Sequence, residues 1–463
     1  MAYNYETYLS PLTWRYGSAE MRRLWSEAHK RRLWRRIWVA LAEVQAEFGL
    51  IDAGLVNELR AQVDAVDVTR ALEIEAEIHH DLMAELHVFA GQSGAAGGAL
   101  HLGATSMDIE DNADALRIRD SLDLALTRLG KLLESFCAQI ERWAQTPVMA
   151  FTHLQPAEPT TLGYRLACWA QDLHGDWHNL KHARARLRGK GFKGAVGSRA
   201  SFAELIGAEN LDAFEERLSA KLELPFYPIT TQTYPRGQEY HLLSALAGLG
   251  ASLYKFAFDL RLLQSPLAGE LSEPFGRRQI GSSAMPFKRN PIQAEKIDSL
   301  ARVLAQMPRI AWDNAAHSLL ERTLDDSANR RSLLAEAFLI ADELLVVASR
   351  ILKGLQVDEK AARRNLAIYG PFAATERLLM RLGKQGADRQ EMHARLREHS
   401  LVAWQAVGEG QANPLAELVG ADPVFLQYLD SEQMRACMQI EQYTGDAAER
   451  AIRLAAEIRA SRA

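Results

Sequence analysis

The densest chemistry in the chain lies in eleven residues, Gly281-Ser282-Ser283-Ala284-Met285-Pro286-Phe287-Lys288-Arg289-Asn290-Pro291. Two hydroxyls, a lysine, an arginine and an asparagine sit together with no carboxylate among them. The glycine and the two prolines rule out an uninterrupted helix, so the segment reads as a loop. Such a run of donors suits the gripping of an anion. Ser282 or Ser283 becomes a proton acceptor if neighbouring groups stabilise an alkoxide. A polar surface turn is the plainer alternative, and the composition of the loop does not decide between them.

Four other segments carry candidate groups. His79-His80-Asp81 falls in the helical pattern EAEIHHDLMAELH. Adjacent histidines on a helix point about 100° apart and do not share one metal ion, so no metal is expected. His101 lies between Gly97-Gly98-Ala99-Leu100 and Leu102-Gly103-Ala104-Thr105-Ser106-Met107-Asp108. Small residues and hydroxyls before a long helix make an anion pocket, although Ser106 or Asp108 as an N-cap accounts for the hydroxyls alone. His153, in Phe151-Thr152-His153-Leu154-Gln155-Pro156, stands between two helical stretches as a structural residue or a proton donor. Glu321–Arg331 reads ERTLDDSANRR. Its forked guanidinium groups, Arg322, Arg330 and Arg331, suit phosphate or carboxylate, or pair internally with Asp325 and Asp326.

Long helices must position these groups. Leu122, Leu126, Leu129, Leu133, Phe136, Ile140 and Trp143 alternate spacings of four and three. The runs Leu242–Leu263 and Leu334–Leu355 repeat the spacing, and Leu162–Leu187 comes close to it. Each seam predicts a helix of about 25–30 residues, longer than is usual in globular proteins, and seams of this kind pack nearly parallel. The fold class is all-α: a central long-helix bundle over 108–360, with an N-terminal helical domain over 1–107 and a C-terminal one over 361–463. Apolar residues off the seams (Leu124, Leu132, Leu243, Leu262, Leu333, Val347) predict association of subunits. Breaks are expected at 189–197, 224–237, the Ser282 loop and Ile368–Phe372.

Composition narrows the partners. With 54 basic and 59 acidic residues among 463 the net charge is −5, which makes no electrostatic case for nucleic acid or an anionic membrane. The basic run His29–Arg36 is interleaved with Leu33 and Trp34 and reads as a solvated or interfacial helix face. The N-terminal residues lack a signal pattern, and no stretch reaches the roughly 18 apolar residues of a membrane span. Three cysteines (Cys137, Cys168, Cys437) without a CxxC pair read as buried free thiols in the cytoplasm.

Taken together, the segments resemble the fumarase/aspartase superfamily and, within it, the adenylosuccinate lyase branch. The likeness runs from Ser10-Pro11-Leu12 and Arg15-Tyr16 through HHD, HLGATSxD, FTHLQPAEPTT and Gln232-Thr233-Tyr234 to the Ser282 loop and ERTLDDSANRR. The loop alone marks the superfamily, while TLDDSANRR and the Lys-Arg-Asn-Pro form of the loop mark the branch. The resemblance implies elimination of fumarate from adenylosuccinate, and from the succinylated aminoimidazole-carboxamide ribotide of purine synthesis. It implies no metal or organic cofactor, and homotetramers whose active sites draw on three subunits.

By the same resemblance, Ser282 is the general base and His153 the general acid, with Glu295 orienting His153. Lys288 and Asn290, with Thr105 and Ser106, hold the carboxylate on which charge develops, and Ser283 is a supporting donor. Arg15, Tyr16, His80, Asp81, Gln232, Arg322, Ser327 and Arg331 are implied substrate-binding positions, and His101 a second group for phosphate or proton handling. His79 and Lys296 stand at substrate-facing positions where relatives often carry arginine, and lysine lacks the bidentate fork. Phe287 replaces a tyrosine or histidine. The competing readings are another superfamily lyase such as argininosuccinate lyase, a catalytically silent bundle protein, and a nucleotide-binding regulator. The arginine segment disfavours the first, and the presence of Ser282, Lys288 and His153 disfavours the second.

Overall fold

A computed structural model describes residues 5–462. Helices supply nearly all the regular structure, in line with the all-α reading. The four that carry the seams are Ser106–Trp143, Leu162–Arg186, Gly237–Gln264 and Asp325–Lys353, of 38, 25, 28 and 29 residues. Their seams are buried, among them Leu122, Leu129, Phe136, Leu246, Leu253, Phe338 and Leu345. A fully buried leucine or phenylalanine contributes roughly 1.5–3 kcal/mol. Each seam therefore outweighs the weak intrinsic propensity of its helix.

The chain divides into two compact units, each assembled from separate stretches. One contains the residues up to Leu129, then Asp176–Ala251 and Ser299–Val346. Its core gathers Trp34, Trp38, Phe89, Phe192, Phe202 and Phe214, with Trp38 stacked on Phe89 at 6.2 Å between ring centroids. The other contains Gly130–Gly175, Ser252–Asp298 and the residues from Val347. There Phe256 meets Phe136 and Trp169 edge-on at 5.5 and 5.3 Å. A second cluster in that unit packs Leu378, Leu382, Met392, Phe425 and Cys437.

Several local expectations change. A β-hairpin, Pro147–Thr152 with Gln155–Thr161, stands where only a break between helices was expected. Ile368–Phe372 is no break: the helix Glu359–Lys384 runs through Pro371. Gly370 is there for contact, since a Cβ on it would sit 2.5 Å from Ile440 Cγ2. The basic run is a solvated face only in part, with Arg36 exposed. Arg31 and Arg35 are fully buried and both pair with Glu85, at 3.2 and 2.6 Å. Of the six off-seam residues, Leu132, Leu243, Leu333 and Val347 are buried within the single chain, whereas Leu262 is exposed. Cys137 and Cys437 are buried, but Cys168 is exposed.

Candidate active site

The Ser282 loop belongs to the second unit and is indeed non-helical, exposed from Ser283 to Arg289. Ser282 Oγ accepts two backbone N–H bonds, from Met285 at 3.1 Å and Ala284 at 3.3 Å. Donors aimed at an oxygen in this way favour its anionic form. Asn290 turns its amide inward, donating to the Gly281 carbonyl at 2.9 Å. Gly281 is required, because a Cβ there would lie 2.0 Å from the Lys288 carbonyl oxygen. Lys288 and Ser283 face solvent. Past the loop, the helix Ile292–Leu304 carries Glu295 and Lys296, and the Glu295 carboxylate lies 4.0 Å from Arg261.

His153 occupies the tip of the hairpin. It and Leu154 have φ of 54° and 59°, so both central residues of the two-residue turn are left-handed. Hairpin turns of this hand favour Asn-Gly, and a bulky residue held there costs on the order of 1–3 kcal/mol. The base of the hairpin is fixed. Met149 is buried against the helix Glu359–Lys384, and Arg165 donates to its carbonyl at 2.6 Å while pairing with Glu270 at 2.7 Å. Among the described residues no hydrogen bond or ion pair joins the His153 ring to the loop or to Glu295.

The remaining candidates lie in the first unit. His79 and His80 are not inside a helix as expected. His79 ends the helix Val68–Ile78 in the left-handed conformation, and His80 caps the helix Asp81–Gln92. The sequence pattern is periodic across the junction, so the turn between two consecutive helices was hidden. His80 Nδ1 accepts from the Met83 N–H at 3.4 Å, which leaves the proton of the neutral ring on Nε2, 3.4 Å from Ser106 Oγ. Thr105 and Ser106 open the longest helix. Asp108 holds this corner, accepting from the Thr105 N–H at 2.9 Å, the Lys193 N–H at 3.0 Å and the Lys190 ammonium. His101 is left-handed, with φ of 66°, and its Nδ1 accepts from Trp38 Nε1 at 3.0 Å. Burial holds the His101 pKa below its ordinary value.

The arginines of the segment are paired internally. Arg330 is buried in an internal network, bonded to Glu239 at 2.6 Å and to Asp114 at 3.1 Å. Arg322, Arg330 and Arg331 all line a cavity of about 120 Å³ together with Ser327, Asp81, Lys30 and Glu110. Asp326 bridges Arg322 at 2.8 Å and Arg236 at 2.7 Å, and Arg236 continues to Asp111 at 2.9 Å. Arg331 donates to Asp81 at 2.8 Å. Burial works to raise the Asp81 carboxyl, but Arg331 and Lys30 hold it below the ordinary range.

Arg15 is exposed beside the rings of Trp14 and Tyr16, with centroid distances of 5.6 and 6.0 Å. The segment after it is tied down by Gly17 and Ser18, whose N–H groups donate to Glu343 and Asp342 at 3.0 and 2.7 Å. Gln232 is fixed through its backbone N–H, which donates to the Glu321 carbonyl at 3.1 Å.

Lys30 and Glu110 are among the lining residues that the sequence reading does not single out. Lys30 was absorbed into a run read as a solvated face. Glu110 lies four residues after Ser106, one helical turn on the same face, which was the available signal. Burial pushes the Glu110 carboxyl up to about 8, with Asp81, Asp114 and Asp111 adding to the effect and Lys30 opposing it. Among the described residues no group of three or more His, Cys, Asp or Glu is placed to hold a metal ion, and no helix is long and apolar enough to cross a membrane.

Comparison with known proteins defines first the class. A family described as "Lyase" matches residues 18–305. The fold is similar to that of a 3-carboxy-cis,cis-muconate lactonizing enzyme from Pseudomonas putida, with a TM-score of 0.86 and 26% identity over 97% of this chain and 98% of that one. A fumarate lyase from Mesorhizobium sp. BNC1 gives a TM-score of 0.84, also at 26% identity, covering 95% and 98% of the two chains. Residues 371–454 match a second family, "Adenylosuccinate lyase C-terminus". The adenylosuccinate lyases of Schizosaccharomyces pombe and Saccharomyces cerevisiae are 38% and 39% identical, over 92% and 91% of this chain and 90% and 89% of theirs. The chain belongs to the adenylosuccinate lyase family.

Proposed function

We propose that the protein cleaves adenylosuccinate to AMP and fumarate, and that the same site cleaves the succinylated aminoimidazole-carboxamide ribotide. The observation that carries this reading is the pair of N–H donors on Ser282 Oγ, within a loop that also presents Lys288. Ser282 as base takes the proton from the carbon β to the leaving nitrogen. Charge then develops on the adjacent carboxylate, where Lys288, Asn290, Ser283, Thr105 and Ser106 supply donors. His153 as acid protonates the departing nitrogen, and each such transfer typically contributes about 10²–10⁴-fold.

The cavity lined by Arg322, Ser327 and Arg331 supports nucleotide binding, with Arg15, Tyr16, His79, His80, Asp81, Gln232 and Lys296 as further contacts and His101 as a neutral donor. A homotetramer with shared active sites fits the exposure of Phe258 and Leu262 on a bundle helix. The free cysteines fit a reducing, cytoplasmic setting.

The test offers adenylosuccinate, argininosuccinate, malate and aspartate separately and measures fumarate release. Turnover of adenylosuccinate alone is expected. Good release from another substrate, with none from adenylosuccinate, sinks the assignment.

A further inference from the structure

The helix Ile292–Leu304 begins without a local cap. Pro291 has no side-chain oxygen to offer, the Asn290 side chain donates through Nδ2 to the Gly281 carbonyl, and only the Ile292 N–H is met locally, by the Asn290 carbonyl at 2.9 Å. Its exposed N–H groups are met from twenty residues upstream. Both oxygens of Glu273 accept from the Gln293 N–H at 3.1 Å, and Oε2 also accepts from the Ala294 N–H at 3.0 Å. Glu273 is 2% exposed, so these bonds are sheltered from water.

A second tie crosses the same place. Gln264, the last residue of the Gly237–Gln264 helix, accepts from the Glu273 N–H at 3.0 Å through Oε1 and donates to the Arg289 carbonyl at 3.0 Å through Nε2. One side chain thus holds both feet of the loop, and a neighbouring carboxylate holds the helix that follows. The tip between them, Ser283 to Arg289, is exposed.

We infer that Glu273 and Gln264 form a clasp across the neck of the Ser282 loop, and that both are positioning residues for the elimination. The clasp fixes Asn290 and the first turn that carries Glu295 and Lys296, while leaving the tip free to meet substrate. Neither side chain needs to touch substrate for this. Its contribution is to keep the reacting groups in register, and displacement of such groups by about 1 Å can cost about 10²-fold in rate. The inference rests on the lyase reading above for its kinetic readout.

The test compares the full-length wild type with Glu273→Ala, Glu273→Gln and Gln264→Ala. Readouts are kcat and KM from fumarate release on adenylosuccinate, far-UV circular dichroism, and the rate of tryptic cutting at Lys288 and Arg289. Glu273→Ala should lower kcat about 100-fold with KM changed less than about threefold. Glu273→Gln, which keeps an acceptor for the first turn, should recover most of that loss, and Gln264→Ala should lower kcat about tenfold. The double alanine variant should lose less than the product of the two single losses, because one clasp is being broken twice.

A folded Glu273→Ala protein with wild-type kcat overturns the inference. If that variant does not fold, Gln264→Ala decides, and an unchanged kcat there overturns it. If the wild type itself releases no fumarate, the lyase reading has failed and not the clasp. The cutting rate then decides: an increase of about tenfold in Glu273→Ala or Gln264→Ala supports the clasp, and no increase overturns it.

Discussion

The arginine segment and the Ser282 loop handle charge in opposite ways. Around Arg322, every strong charge already has a counter-charge: Asp326 bridges Arg322 and Arg236, Arg236 reaches Asp111, and Arg330 is clamped by Glu239. In the loop, Lys288 and Ser283 face solvent, and the oxygen of Ser282, the proposed base, is held by backbone N–H groups. Charges paired as they are around Arg322 are ordered in advance, and a ligand that met them would cost less ordering entropy. The groups proposed to meet a developing charge stand on an exposed loop with fixed feet. His153 belongs with the second kind, being exposed at the tip of a strained turn whose base is buried.

The comparison breaks most visibly if the reacting groups are removed. Ser282→Ala and His153→Gln should each reduce kcat by about 10²–10⁴-fold with an unchanged circular dichroism spectrum. Near-normal rates in either would show that the role assigned to that residue is wrong. Removing Asp326 should act on the other side and on stability instead. Asp326→Ala leaves Arg236 buried without its nearest partner, which typically costs about 3–5 kcal/mol, read as a lower urea midpoint. A loss confined to kcat would mean that the network is not what orders Arg322. Arg331→Lys keeps the charge and loses the fork, and should raise KM about tenfold while kcat holds.

Glu110 gives a pH test. Its carboxyl, ordinarily near 4.5, sits at about 8 in the folded chain, so the folded state binds this proton more tightly than the unfolded state. Its contribution to stability is therefore complete below about 4.5 and is lost as pH rises through 8. Glu110→Gln should flatten the decline of thermal midpoint between about pH 4.5 and 8. An unchanged slope would place the titration elsewhere. The smallest effect is expected at the hairpin tip. Leu154→Asn puts a residue tolerant of the left-handed region at φ of 59° and should add about 0.5–1 kcal/mol of stability.

Much of this was legible in the sequence because helices with strict spacing leave a long-range signal. The seams, the non-helical Ser282 loop and the internal pairing within ERTLDDSANRR all follow from spacing and residue type. What was hidden depends on partners distant in sequence. The His79–His80 junction breaks a periodic pattern without changing it. Pro371 signalled a break, yet the helix runs on through it, and nearby Asn413 donates to the Ile368 carbonyl at 2.8 Å. Arg31 and Arg35 looked solvated because Glu85, which neutralises both, is about fifty residues away. The Glu273 cap was invisible for the same reason: helix caps are sought next to the helix, and this one arrives from the far side of a loop.

The ion cluster around Arg236 also behaves differently from the apolar seams on heating. The cost of keeping ions away from water falls as temperature rises, whereas hydrophobic stabilisation levels off. Asp111, Glu239, Asp326, Arg236 and Arg330 therefore become relatively better stabilised in the warm protein. The arginine face should be among the last parts to lose its order in a thermal ramp, after the exposed loop has already frayed.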